Sequence, residues 1–274
     1  MSATFSYTDA HVFVAGGTSG INLGVAQAFA RAGAKVSVLS RSQAKVDAAV
    51  EQLRALGPDA AGFAADVREY AAVETALREA HAKFGEIDVL VSGAAGNFPA
   101  PMLGMSANAF KTVVDIDLLG TFNVLRAAFE FLRKPGASVI NISAPQAFAP
   151  MELQMHVCAA KAGVDMVTRV GALELGPAGV RVNSVVPGPI DGTEGMKRLA
   201  PSKELAAIVS ESVPLRRFGQ ASEVADCCLW LGSKMAAYVT GAVIPVDGGW
   251  SLGGTAVAGD GLKKAFIAMT QGQK

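Results

Sequence analysis

The chain is poor in several of the things that would give it an easy assignment. Among its 274 residues there are only three cysteines, Cys158, Cys227 and Cys228. The number is odd and two are adjacent, so no disulfide framework can be drawn and a reducing compartment is expected; with the absence of the targeting signals considered below, the expected setting is cytoplasmic. No set of Cys and His residues has the spacing of a metal site, so no metal is expected. Lys and Arg balance Asp and Glu at 24 each. No global field therefore gathers nucleic acid or an anionic membrane, and an anionic ligand must be held by local groups. No uncharged apolar run reaches membrane-spanning length. Residues 1–8 lack the basic and apolar blocks of a signal peptide, and Gln271-Gly272-Gln273-Lys274 is not a peroxisomal address.

What is present is apolar and small: 51% of residues are hydrophobic, and there are 30 glycines. Short β-branched runs at 11–15, 35–39, 60–64, 89–92, 138–142, 181–186 and 242–246 alternate with longer Ala-rich helical stretches. That alternation predicts right-handed βαβ units and a parallel sheet. The runs are nearly all apolar, as strands covered on both faces must be. With neither linker nor internal repeat, the expected architecture is α/β, a single Rossmann-type doubly wound parallel sheet with helices on both faces, in one domain over 1–274. Residues 191–214 break the rhythm with Gly192, Gly195 and Pro201 and read as a substrate loop. The Gly-rich tail after Gly248 reads as a segment partly ordered by a partner subunit.

The first run leads directly into Gly16-Gly17-Thr18-Ser19-Gly20-Ile21-Asn22-Leu23-Gly24 and then a helical pattern at 25–32. Glycines there let the backbone turn tightly and approach a pyrophosphate, and the helix N-terminus supplies free N–H groups. Gly16, Thr18, Ser19, Gly20 and Ile21 are thus candidate dinucleotide ligands. The second run ends in Ser40-Arg41, where an acid would favour NAD. A guanidinium fits a 2′-phosphate instead, so NADP(H) is the expected cofactor. Asp66-Val67 ends the third run, where a carboxylate can accept from the adenine amino group. After the fourth, Ala94-Ala95-Gly96 is small enough for the nicotinamide half to lie against the backbone.

Together with Lys161, Arg181-Val182-Asn183, Pro187-Gly188, Tyr238-Val239-Thr240-Gly241 and Val246-Asp247-Gly248-Gly249, these motifs resemble the short-chain dehydrogenase/reductase family over nearly the whole chain. Asn22 departs from the family pattern, standing where the third glycine of the turn belongs. The family's catalytic set is an Asn, a Ser, a Tyr and a Lys. Carried over by position, these fall on Asp117, Ala144, Val157 and Lys161, so only the lysine persists. Within the family, Ala94-Ala95-Gly96-Asn97-Phe98, the segment from Phe110 to Asp117, and Pro187-Gly188-Pro189-Ile190-Asp191-Gly192-Thr193 look like 2,4-dienoyl-CoA reductases of the peroxisomal type. That resemblance implies Asp117 and Lys161 as the catalytic pair and a 3-enoyl-CoA as the product.

The chemistry is consistent. A ketone acquires full negative charge on one oxygen and needs a placed acid. A dienoyl thioester accepting hydride at its δ carbon spreads the charge to the thioester oxygen, and a water can then protonate carbon. Pro187, Gly188, Ile190 and Thr193 are expected at the nicotinamide amide and pyrophosphate. Arg68, Lys197 and Arg198 are expected as a basic rim for CoA, and Phe98 as a cover for the conjugated acyl group. His156 reads as a packed or capping residue and Cys158 as a small buried one. The resemblance implies a homo-oligomer, a tetramer or dimer built on two long helices and the C-terminal segment. Two other functions remain open on the residues alone. One is a ketoacyl or hydroxyacyl dehydrogenase with a relocated acid such as His156; the other is a non-catalytic NADP-binding protein.

Overall fold

The computed structural model describes residues 4–271. Residues 1–3 and 272–274, on which part of the targeting readings fall, lie outside these. Seven strands, β1 (His11–Ala15), β2 (Lys35–Ser40), β3 (Ala60–Ala64), β4 (Val89–Ser92), β5 (Ser138–Ile142), β6 (Arg181–Pro187) and β7 (Val243–Val246), form one parallel sheet. Their order is β3-β2-β1-β4-β5-β6-β7. All seven expected strands are present, with three ends displaced by a residue. Around them lie α1 (Gly20–Arg31), α2 (Gln43–Arg54), α3 (Tyr70–Phe84), α4 (Ala107–Val114), α5 (Gly120–Ala128), α6 (Met155–Leu175), α7 (Glu194–Leu199), α8 (Lys203–Ser212), α9 (Ala221–Gly232) and α10 (Gly254–Gln271).

Alternation along β1 builds both layers. Val12 and Val14 pack toward Phe29 of α1, Leu53 of α2 and Val224 of α9. Phe13 and Ala15 pack toward Leu77 of α3 and Val124 of α5. Phe13, Phe29, Leu53 and Leu77 are fully buried, and truncating such a phenylalanine to alanine costs about 3–5 kcal/mol. The sheet is therefore the doubly wound one that the alternation predicts. Its order reverses between β1 and β4, so a crevice opens at their carboxyl ends, which is where the site lies.

One expectation is corrected. Residues 191–214 are not a loop but carry α7 and α8. Each helix starts on a hydroxyl cap: Met196 N donates to Thr193 Oγ1 at 3.3 Å, and Leu205 N to Ser202 Oγ at 3.3 Å. Gly192 and Pro201 lie just outside these helices, so they delimit helices rather than forbid them. The tail after Gly248 carries α10, which packs on α8 of its own chain through Val209, Ala258 and Leu262.

Between α4 and α5 the helix continues but widens, and Asp115–Leu119 forms a π turn. Such turns are rare and concentrate at functional sites.

Candidate active site

The β1–α1 turn forms one wall of the crevice. Gly16 has φ +79°, and a Cβ built on it would lie 2.8 Å from Ala94 N, so the first and fourth strand ends meet there as bare backbone. Ser19, the N-cap of α1, makes no side-chain cap hydrogen bond. The first amides of α1 thus remain available to an anion. A backbone cradle at a helix start, with room for an extended molecule, fits a dinucleotide.

The resulting cleft has a volume of about 450 Å³. It brings together Gly16, Thr18, Ser19, Gly20, Ile21, Arg41, Asp66, Val67, Ala94, Ala95, Gly96, Asp117, Lys161, Pro187, Gly188, Ile190, Thr193 and Arg198. Lys45, in the first turn of α2, lines it as well; a second cation four residues after Arg41 is a signal legible in the sequence. Trp250 also lines it, and no local pattern could have announced that.

At the β2–β3 end, Asp66 and Arg68 pair with each other. Asp66 Oδ1 accepts from the Arg68 backbone N and Nε, each at 3.0 Å, and Oδ2 accepts from Nη2 at 2.7 Å. The Arg68 guanidinium holds the Asp66 carboxyl below its ordinary value. Arg68 is thus paired with Asp66 and is not among the residues lining the cleft. Arg41 is 64% exposed, with Nη1 4.0 Å from Asp66 Oδ2.

At the other end three distant segments converge. The π turn turns Asp117 inward and leaves it fully buried. Its Oδ1 accepts from Gly96 N at 2.7 Å, and its Oδ2 lies 3.3 Å from Lys161 Nζ. Lys161, near the start of α6, also donates to the Ile142 carbonyl at the end of β5, at 3.0 Å. Thr121 Oγ1 satisfies the Asp117 carbonyl at 2.7 Å. One turn before Lys161, Val157 lines the cleft and packs among Val113 and Ala160. Ala144 lines it as well. The two positions where the family pattern has hydroxyl groups therefore present only hydrocarbon.

Phe98 does not line the cleft. Its ring lies 4.4 Å, centroid to centroid, from that of His156. His156 is fully buried, and burial holds its imidazole below the ordinary value, as befits a packed residue. Arg198 reaches from α7 to donate to the Asn97 carbonyl at 3.0 Å, whereas Lys197 is paired with Glu194 at 2.8 Å. The three cysteines are free thiols. Cys158 is half-buried rather than buried, and burial pushes the Cys227 thiol up to about 11.

Comparison with known proteins gives consistent findings. A family model described as enoyl-(acyl carrier protein) reductase matches residues 15–251. The chain is 45% identical over 243 residues to a peroxisomal 2,4-dienoyl-CoA reductase, (3E)-enoyl-CoA-producing, of Rattus norvegicus, covering 88% of this chain and 83% of the relative. It is 41% identical over 246 residues to the protein of the same description from Saccharomyces cerevisiae, covering 88% and 84%. A short-chain type dehydrogenase/reductase from Mycobacterium ulcerans superposes with a TM-score of 0.86 at 33% identity, covering 90% of this chain and 92% of that one. Among the described residues no helix is long and apolar enough to cross a membrane.

Proposed function

The chain belongs to the short-chain dehydrogenase/reductase family of oxidoreductases, which act with a nicotinamide cofactor, and on that premise we propose that it reduces 2,4-dienoyl-CoA to 3-enoyl-CoA with NADPH. The observation that carries this reading is the buried Asp117–Lys161 pair, 3.3 Å apart, beside a valine. A site with no phenol at Val157 suits a substrate whose incoming charge is conjugated away from the attacked atom.

When bound, NADPH supplies the hydride. The backbone of Gly16 to Ile21 would hold its pyrophosphate at the start of α1, while Arg41 and Lys45 would hold its 2′-phosphate. Asp66, Val67, Ala94, Ala95 and Gly96 would shape the adenosine and ribose walls, and Pro187, Gly188, Ile190 and Thr193 would face the nicotinamide half. Lys161, held by Asp117, would donate to the nicotinamide ribose, and Asp117 would order the water that protonates the α carbon. Arg198 would meet a CoA phosphate.

Exposed Leu119, Phe122, Met166, Val170 and Leu173 on the π turn, α5 and α6 support a homo-oligomer built on that face. The free thiols support a reducing compartment, and we place the chain in the cytoplasm. The relatives' names carry "peroxisomal", and a peroxisomal pattern on imaging a tagged chain would overturn it.

The test is a paired assay of 2,4-hexadienoyl-CoA against acetoacetyl-CoA, each with NADPH and with NADH. Consumption of NADPH with the dienoyl thioester is expected. Turnover of the ketoacyl substrate alone would reject the reading, and nucleotide binding without turnover of either would make the protein non-catalytic.

A further inference from the structure

Asn22, the residue that stands in place of the turn's third glycine, has no part in the reading above. It is the third residue of α1 and lines the cleft. Its Nδ2 donates to the Gly93 carbonyl at 2.7 Å, joining the first turn of α1 to the residue that follows β4. The fit is close. A Cβ on Gly93 would lie 2.3 Å from Asn22 Oδ1, so the amide occupies the space a side chain at position 93 would need. Gly93 N is held in turn by the Ala15 carbonyl of β1, at 3.1 Å.

Gly93 opens a loop of Gly and Ala, residues 93–96, with no polar side chain of its own to fix it. The far end of that loop is fixed by a second bond, from Gly96 N to Asp117 Oδ1 at 2.7 Å. The loop is therefore strung between Asn22 on the phosphate-binding side and Asp117 on the reducing side, and Asp117 is the partner of Lys161. A glycine at position 22 would leave the Gly93 carbonyl without this donor and give a flexible segment more room to move.

We propose that Asn22 is a positioning residue that couples the pyrophosphate turn to the Asp117–Lys161 pair through loop 93–96. The inference rests on the NADPH-dependent reading of the cleft, and its test separates the two. In cofactor-free N22A, amide exchange in residues 93–97 rises about tenfold over wild type. Turnover (kcat) on 2,4-hexadienoyl-CoA falls about fivefold, while the Kd for NADPH, read from nucleotide fluorescence, stays within about twofold. Unchanged exchange in 93–97, or weaker NADPH binding with kcat intact, would overturn the proposal. The exchange measurement needs no turnover, so an inactive wild type would defeat the reduction reading and leave the coupling decided by exchange.

A reciprocal pair guards against misfolding of the single variant. G93A, whose Cβ takes the space of the amide, raises exchange in 93–97 and lowers kcat as N22A does. N22G/G93A relieves the clash yet keeps the raised exchange. Wild-type exchange in G93A would equally overturn the proposal.

Discussion

The two ends of the cleft are made of different materials. At the β1–β3 end, the surface is mostly backbone: Gly16, Gly20 and the open first turn of α1, with Arg41 and Lys45 at the margin. At the β5–β6 end, the chemistry lies in side chains delivered by separate segments, Asp117 from the π turn and Val157 and Lys161 from α6. A backbone cradle needs only small residues in a row, so it tolerates change around it. A side-chain constellation tolerates change in the reaction it serves, because each member can be exchanged without unfolding the cradle. That difference explains how this chain keeps a nucleotide-binding outline while three of the four catalytic positions of its family pattern hold other residues.

The comparison can be broken most directly at Asp117. D117A is expected to lower kcat on a dienoyl thioester by about 100-fold with NADPH affinity nearly unchanged; loss of binding and turnover together would show that the two ends are not separable. Next in size is R41A. Removing a charge-assisted contact worth about 1.5–3 kcal/mol should weaken NADPH by roughly tenfold or more and leave NADH unaltered. Equal loss for both nucleotides would mean that Arg41 does not read the 2′-phosphate.

A third experiment addresses the foundation both ends share. His11, at the start of β1, is fully buried, with Nδ1 2.9 Å from the Gly85 carbonyl and Nε2 2.9 Å from Ser37 Oγ. Burial lowers its pKa to about 4. The unfolded chain takes up this proton first on acidification, at its ordinary value of about 6.5. The stability is complete above that value and is lost as pH falls toward 4, by about 3 kcal/mol at most. His156, also lowered by burial, acts with the same sign. The Tm of H11N should therefore fall less steeply over this window than that of wild type; parallel slopes would refute the assignment. The smallest effect is expected at the strap between Lys263 of α10 and Glu152, 2.7 Å apart and each about half exposed. K263A should cost less than about 1 kcal/mol, with any kinetic change confined to the reducing end.

How much could be read in advance follows the same division. The strands were legible because residues such as Val12, Val14, Val36 and Val38 are apolar for one reason, burial on both faces. The β1–α1 turn was legible because its function is contiguous in the chain. The pairing of Arg68 with Asp66 was not legible, because no sequence rule says that its carboxylate partner is two residues away. The contact of Phe98 with His156 was not legible either, because His156 arrives from another strand–helix unit. Over residues 191–214 the caps Thr193 and Ser202 carry better information than the glycines and the proline. Asn22 was visible as an oddity, but its bond to Gly93 required the tertiary structure.

The widened turn at Asp115–Leu119 also constrains what can descend from this sequence. A π turn holds one residue more than an ordinary helical turn would. Excising that extra residue would close the turn to an ordinary helical one, so α4 and α5 would keep about their present phase and Val124, Leu125 and Ala128 their seat against the sheet. The loss would fall on the turn itself, where the widened path carries Asp117 inward. This is thereby the point in the helix where a deletion spares the scaffold and removes the carboxylate.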